Sequence, residues 1–326
     1  MPVQVLMPAR MQQFAIDELD AACHLHKLWE EPDQETALER LAPDIEVMIV
    51  SGWARKIDAA LMKRFPKLRM ITITGAGYDK IDAVYAGENG IVVTNAAQAL
   101  SEDVADMAMA LFLNAVRQIP QAERFMRDGK WIAGNYPLAS SLRDRTMGIV
   151  GLGRIGKAIA RRAEAFGVRV VYAGRTRQDG VAYPYFASVE DMAKKCDTLV
   201  MALPGGPETD RLASRTALES LGPQGVFVNI SRGSVVDETA LLDLLRTKKL
   251  LAAGLDVFMN EPKIDPAFYE LDNVALSPHW AAGTHAARGM GQRIACNNVL
   301  SWIAGKGPLD PVPETPWPQT GLRGRA

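Results

Sequence analysis

Apolar residues occur along this chain in short runs separated by amphipathic stretches. Residues 3–7 form a brief apolar run, and residues 47–50 and 70–74 are β-branched runs that end at turn residues. Helix-period patterns lie between them, around 35–41 and 57–65. Strands joined by helical crossovers predict a parallel sheet. A long helix is then expected from Ser101, its N-cap, with Glu102 and Asp103 in the first turn, to about Ile119, where Pro120 stops it.

From Thr146 the alternation restarts with a different character. Strand candidates follow at 147–150, 168–173, 198–203, 225–230, 252–257 and 274–276. Most are nearly all apolar, the pattern of parallel strands covered on both faces. A last helix is expected from just after Thr284 to about Ala304. The tail from Gly305 carries Pro308, Pro311, Pro313, Pro316 and Pro318, so it reads as extended or disordered.

Composition narrows the classes of partner. The chain has 326 residues, a natural length for two domains. Its apolar fraction of 48% and charged fraction of 23% suit a folded globular protein and exclude disorder over most of the length. Lys and Arg number 37 against 38 for Asp and Glu. Without a basic excess there is little counterion release to drive nucleic-acid binding and little attraction to anionic lipid, so neither nucleic acid nor membrane is expected as a partner. Cys23, Cys196 and Cys296 are odd in number, far apart and unpaired by any C-x-x-C spacing, which fits a reducing compartment. No His/Cys/carboxylate cluster has metal-ligand spacing, so no metal is expected. Residues 1–10 lack the form of a signal peptide, and the most apolar stretch, 104–116, is broken by Asp106 and Asn114 and too short to span a bilayer. A cytoplasmic protein is the expectation.

One turn carries a sharper signal. Gly151-Leu152-Gly153-Arg154-Ile155-Gly156 follows an apolar strand and opens a helix, the context in which G-x-G-x-x-G binds a dinucleotide. The glycines allow a tight turn, close backbone approach to a pyrophosphate and close helix–strand packing, and the helix N-terminus offers unpaired N–H groups. An NAD site places an acid at the end of the next strand, on the ribose hydroxyls. Here Gly174-Arg175-Thr176-Arg177 stand instead. Two guanidiniums and a hydroxyl match a 2′-phosphate, which predicts NADP as the preferred cofactor with NAD possible; the bland alternative is a solvated loop that is basic by chance.

Three later segments put polar residues at the C-terminal ends of apolar strands, where open α/β sheets bind ligands. They are Asn229-Ile230-Ser231-Arg232-Gly233, the stretch from Asp256 to Glu261-Pro262, and Ser277-Pro278-His279-Trp280. Of the four histidines, His24 and His26 lie near the N-terminus and His285 opens a helix, leaving His279 placed for catalysis. Arg232, Glu261 and His279 together suit reduction of a 2-oxo acid. A guanidinium pairs with the carboxylate and polarises the carbonyl, an imidazole exchanges the proton, and a carboxylate beside the imidazole orients it and raises its pKa.

These motifs, with Gly75-Ala76-Gly77-Tyr78-Asp79-Lys80-Ile81-Asp82, Val104-Ala105-Asp106 and Gly254-Leu255-Asp256-Val257-Phe258, resemble the D-isomer-specific 2-hydroxyacid dehydrogenase family over most of the chain, in particular its glyoxylate/hydroxypyruvate reductase branch. The resemblance implies an α/β fold of two doubly wound parallel-sheet domains with the site in the cleft between them. Residues 1–99 and 286–326 would form a flavodoxin-like substrate-binding domain, and residues 100–285 a Rossmann cofactor domain inserted into it. It places Arg232 on the substrate's carboxylate and carbonyl, His279 as general acid, and Glu261 as its partner. Backbone N–H groups of Gly75, Ala76 and Gly77 would hold the carboxylate, helped by Ser51 and Gly52. Besides Gly151, Gly153 and Gly156, the cofactor would meet Arg154, Ile155, Leu203, Pro204, Thr209, Ile230 and Asp256. A homodimer is implied through the helix from Ser101 and the arm at 131–138.

The activity so implied is reduction of small anionic 2-oxo acids, glyoxylate and hydroxypyruvate first, to D-2-hydroxy acids. The alternatives are a reductase of bulkier acids such as 4-hydroxyphenylpyruvate or 2-ketogluconate, or a non-catalytic dinucleotide-sensing protein on the same fold. Trp280 departs from the smaller residues frequent after the family's histidine, and Ala281-Ala282-Gly283 and the flexible Gly205-Gly206-Pro207 are further departures. The Trp280 ring either shapes the substrate's surroundings or packs under its own loop.

Overall fold

The computed structural model describes residues 2–51 and 55–318. The chain divides into two compact units, one running from Met1 to Leu100 and resuming at Gly283, the other Ser101–Ala282. The limits drawn from sequence are 99 and 285.

The first unit is built on five parallel strands, β1 (Gln4–Met7), β2 (His24–Lys27), β3 (Val47–Val50), β4 (Met70–Ile73) and β5 (Val92–Thr94), in the order β2-β1-β3-β4-β5. That is the flavodoxin-like order. Every residue of β3 and β4 is buried, which is why both stand out as apolar or β-branched runs, with Thr72 the one polar member. The edge strand β2, with His24, Leu25, His26 and Lys27, has no such run. Helix His285–Ile303 covers part of this sheet; Thr284 caps it by accepting from the Ala287 N–H at 3.0 Å. Gly291 is needed there, since a Cβ would lie 2.3 Å from the Thr74 carbonyl oxygen. The proline-rich tail, as far as Pro318, runs through turns and bends and is pinned to β5 by a bridge between Thr94 and Pro311. Thr315 is wholly buried, and its hydroxyl accepts from Val93 N–H at 2.9 Å and donates to Val93 C=O at 3.1 Å.

The helix expected from Ser101 begins earlier, at Ala97, and ends at Arg117. Ser101 is therefore buried in the helix interior and is not an N-cap, because Ala97, Gln98, Ala99 and Leu100 are all strong helix formers that carry the helix upstream. Pro120 also does not end it. Gln118 turns the chain with φ 53°, and a new helix, Ile119–Arg127, starts with Pro120 in its first turn, where a missing N–H has no partner to lose.

The second unit is a seven-stranded parallel sheet of β6 (Thr146–Val150), β7 (Arg169–Ala173), β8 (Tyr185–Phe186), β9 (Thr198–Met201), β10 (Val226–Asn229), β11 (Ala252–Leu255) and β12 (Val274–Leu276). Their order, β12-β11-β10-β9-β6-β7-β8, is that of a Rossmann sheet, with its topological switch between β6 and β9. Leu199, Phe227, Leu244 and Phe268 are fully buried in its core. Three strands stop short of their apolar runs: β9, β10 and β11 end at Met201, Asn229 and Leu255, and the surplus residues open the loops described next. Among the described residues no helix is long and apolar enough to cross a membrane.

Candidate active site

The turn after β10 is set by a buried amide. Asn229, fully buried, donates from Nδ2 to the Arg232 carbonyl at 2.8 Å and accepts from Ser231 N–H at 3.0 Å. The Ser231 hydroxyl donates to the Leu203 carbonyl, and Arg232 Nη1 donates to the Ser231 carbonyl at 2.7 Å. Gly233 lets this turn touch the next segment: a Cβ there would stand 1.9 Å from the Phe258 carbonyl carbon. In that segment Glu261 accepts from Phe258 N–H through Oε1 at 2.9 Å, and Glu238 accepts from Met259 N–H at 3.0 Å.

Glu261 uses its other oxygen for His279, whose Nδ1–H donates to Oε2 at 2.6 Å. That bond fixes the ring and leaves Nε2, on a half-exposed side chain, as the atom available to a reactant. The Glu261 carboxylate raises the pKa of His279 above the ordinary imidazole value, against opposing contributions from burial and the nearby Arg232 charge. Burial alone would raise Glu261; the bonds from His279 and Phe258 and the Arg232 charge outweigh it and hold the carboxyl below its usual range. Arg232 thus acts electrostatically on both partners.

The loop carrying His279 hangs on one carboxylate. Asp256 is wholly buried and accepts from the Ser277 hydroxyl at 2.5 Å and the Trp280 N–H at 2.7 Å through Oδ1, and from the Ala281 N–H at 2.9 Å through Oδ2. Its own carbonyl accepts from His279 N–H at 2.8 Å. These bonds hold His279 at φ 52°, in the left-handed region that a non-glycine residue enters only when its surroundings dictate it. The Trp280 ring remains about half exposed.

Further along the same edge of the sheet, after β6, lies the glycine-rich turn. Gly151 adopts φ 92°, donates its N–H to Ala173 C=O at 2.9 Å, and packs so closely that a Cβ would meet Ala202 O at 2.5 Å. A Cβ on Gly156 would lie 2.1 Å from Gly151 O, whereas one on Gly153 would project into open space. Gly153 is also the N-cap of helix Arg154–Ala165, with no side chain capping it. Uncapped N–H groups beside an open cradle are what a pyrophosphate needs. The geometry of the turn from Gly151 to Gly156 therefore fits a dinucleotide, which Gly151, Gly153, Arg154, Ile155 and Gly156 would hold. Arg175, Thr176 and Arg177 stand exposed after β7. In the loop after β9, the Thr209 hydroxyl lies 3.0 Å from Pro204 O and 3.1 Å from Gly206 O, closing the loop that begins at Leu203. Ile230 is buried beside Arg232's turn.

The second unit thus brings Arg232, Glu261, His279, Trp280, Asp256, Ile230 and Leu203 to one set of strand ends. Gly75, Ala76, Gly77 and Ser51 belong to the first unit. Asn95 Nδ2 donates to Ala76 C=O at 2.9 Å and Ala96 N–H to Gly75 C=O at 2.9 Å, while the Ser51 hydroxyl accepts from Thr74 at 3.1 Å. Gly52 lies outside the described residues. Sequence reasoning missed the supporting roles of Asn229, Glu238 and Ser277. Only Asn229 carried a signal, as a polar residue closing an otherwise apolar strand.

The stretch 109–281 matches the family model described as D-isomer specific 2-hydroxyacid dehydrogenase, NAD binding domain. A solved structure of an NADPH-dependent glyoxylate/hydroxypyruvate reductase from Sinorhizobium meliloti, in complex with NADP and malonate, superposes with a TM-score of 0.90 at 38% identity, covering 97% of this chain and 98% of that one. A hydroxyphenylpyruvate reductase from Plectranthus scutellarioides is 37% identical over 310 residues, 95% of this chain and 99% of that protein. A glyoxylate/hydroxypyruvate reductase from Arabidopsis thaliana matches to the same extent, 37% over 310 residues with the same coverage.

Proposed function

The chain belongs to the D-isomer specific 2-hydroxyacid dehydrogenase family, and from that membership we propose that it reduces small 2-oxo acids, glyoxylate and hydroxypyruvate first, to D-2-hydroxy acids with NADPH in preference to NADH. The observation that carries the reading is the 2.6 Å His279–Glu261 pair beside the Arg232 charge.

NADPH, when bound, supplies the hydride that reduces the carbonyl carbon. Protonated His279 delivers a proton from Nε2 to the carbonyl oxygen. Glu261 keeps the imidazole oriented and favours its charged form. Arg232 binds the carboxylate and stabilises the negative charge that grows on the oxygen. In the first unit, the backbone N–H groups of Gly75, Ala76 and Gly77, with Ser51, are the groups suited to a carboxylate. Arg175, Thr176 and Arg177 take the 2′-phosphate, while Leu203, Pro204, Thr209 and Ile230 line the cofactor's path. Asp256, wholly buried, supports the loop that carries His279.

Substrate size is the open choice, since relatives equally similar carry names for small and for aromatic acids. Trp280 follows His279 directly and is about half exposed; an indole turned toward the reacting atoms favours the small acids. The test is a panel of glyoxylate, hydroxypyruvate, 4-hydroxyphenylpyruvate and 2-ketogluconate, each with NADPH and NADH. The first two with NADPH should give the highest kcat/KM; a higher value for either bulky acid reverses the order. A homodimer belongs to the same reading. Helix Ile119–Arg127 buries no residue, and Ile132 and Leu138 nearby are 97% and 101% exposed, an apolar arm that a second copy would cover. Sedimentation equilibrium should return twice the chain mass. The compartment we assign is the cytoplasm, on three buried cysteines that remain free thiols.

A further inference from the structure

We propose that Gln178 is a positioning residue for cofactor choice, tying the arc of Arg175–Arg177 to the glycine-rich turn so that a 2′-phosphate and a pyrophosphate are gripped at a fixed separation. The inference rests on the NADPH reading above.

The arc is anchored at both ends. Before it, the Gly174 carbonyl accepts from the Tyr185 hydroxyl at 3.1 Å. After it, Gln178 N–H donates to the hydroxyl of Tyr172 at 2.8 Å, and Gln178 Nε2 donates to the Leu152 carbonyl at 2.9 Å. Tyr172 is only 1% exposed, so the first of these bonds reaches the sheet core. Leu152 sits between Gly151 and Gly153, so the second reaches the turn that fits a pyrophosphate. Only Arg175, Thr176 and Arg177 lie between the anchors, and all three are exposed.

This arrangement matters because of the ligand's own geometry. In NADPH the 2′-phosphate and the 5′-pyrophosphate hang from one ribose, so their separation varies little. A protein that binds both gains most when its two grips are already that far apart, since ordering long arginine side chains is costly enough without ordering the backbone beneath them. The Gln178 amide links the loop bearing the arginines directly to the glycine turn. A ligand without the 2′-phosphate uses only one grip and is indifferent to the link.

The test measures binding of adenosine 2′,5′-bisphosphate and of 5′-AMP by calorimetry to the full-length protein. The set comprises the wild type, Gln178→Met, Tyr172→Phe and the double variant Arg175→Ala/Arg177→Ala. Gln178→Met keeps the size of the side chain and deletes its N–H donor. It should weaken the bisphosphate about fivefold, the worth of one net hydrogen bond, and leave 5′-AMP unchanged. Tyr172→Phe should shift the same ratio in the same direction by less, and the double arginine variant should abolish the preference. In kinetics Gln178→Met should raise KM for NADPH with kcat unchanged. Equal weakening of both ligands would mean a role in general folding only and overturn the proposal. A wild type that prefers the bisphosphate, with the arginine variant losing that preference and both Gln178→Met and Tyr172→Phe retaining it, overturns the role of Gln178 alone. A wild type with no preference overturns the NADPH reading, and this inference with it.

Discussion

Two loops on the C-terminal edge of the seven-stranded sheet hold charged groups in opposite ways. The loop after β12 hangs on one buried carboxylate: Asp256 takes a hydroxyl and two backbone N–H groups, and fixes His279 in a conformation it would not choose alone. The loop after β7 is held at its ends by neutral hydrogen bonds, and leaves Arg175 and Arg177 exposed. The first arrangement is all-or-none, because removing one acceptor strands several donors at once. The second is graded, because each tie shifts a grip without dismantling it. Proton transfer tolerates sub-ångström error poorly, whereas choosing between two cofactors needs only a difference in affinity.

The contrast predicts its own largest effects. His279→Ala should cut kcat for glyoxylate reduction by about 10² to 10⁴, the range of a positioned general acid, with NADPH affinity retained. Steady-state kinetics and cofactor titration check both halves, and undiminished NADPH oxidation would overturn the role of His279 as the general acid. Asp256→Asn, which touches no reacting atom, should come next. It presents an amide N–H₂ to donors that need an acceptor, and should lower kcat on the order of 10- to 100-fold while also lowering Tm. A fall in Tm with kcat intact would show that the loop keeps His279 in place without Asp256, and would break the comparison.

Glu261→Gln sharpens the same comparison through pH. The folded-state pKa of His279 is raised, with the Glu261 bond as the first cause. The pair's contribution to stability is therefore fully present below the unfolded-state imidazole pKa and is lost as pH rises through the higher folded value. Reduction needs the same proton, so its rate falls along that limb. Removing the carboxylate charge should move the basic limb of the kcat/KM profile to lower pH, while the Arg232 charge, which opposes protonation, remains. A limb that stays in place would mean that another group sets it.

The legibility of the molecule follows the same division between side chains and backbone. Strands β3, β4, β9 and β10 are buried at every position, so their apolar runs announce them. Strand β2 escapes because an edge strand can be polar, and β8, Tyr185–Phe186, because two residues make no period. Ser101 misleads because a serine buried inside a helix reads the same as one capping it. At the site, Arg232, Glu261 and His279 are visible as charged or titratable groups at the ends of apolar segments. The support of their loops is invisible, because Asp256 and Asn229 work largely on backbone N–H and C=O groups, which every residue carries and no sequence distinguishes.

Trp280 gives the smallest expected effect and tests where the all-or-none character of its loop stops. Its N–H is part of the Asp256 clamp, but its ring is about half exposed. Trp280→Ala leaves the N–H and the carboxylate as they are, so proton transfer to glyoxylate should change little. The ring, if it crowds the reacting atoms, disfavours a bulky side chain on the 2-oxo acid. Its loss should then shift specificity, read as the ratio of kcat/KM values, toward hydroxyphenylpyruvate and away from glyoxylate by roughly threefold to tenfold, the scale of a modest change in apolar contact. The opposite shift would mean that the indole stacks on aromatic substrates and that the site is built for them. No shift at all would place the ring away from the substrate and assign it to packing. Each result separates what the loop's backbone does for every substrate from what one exposed side chain does for some of them.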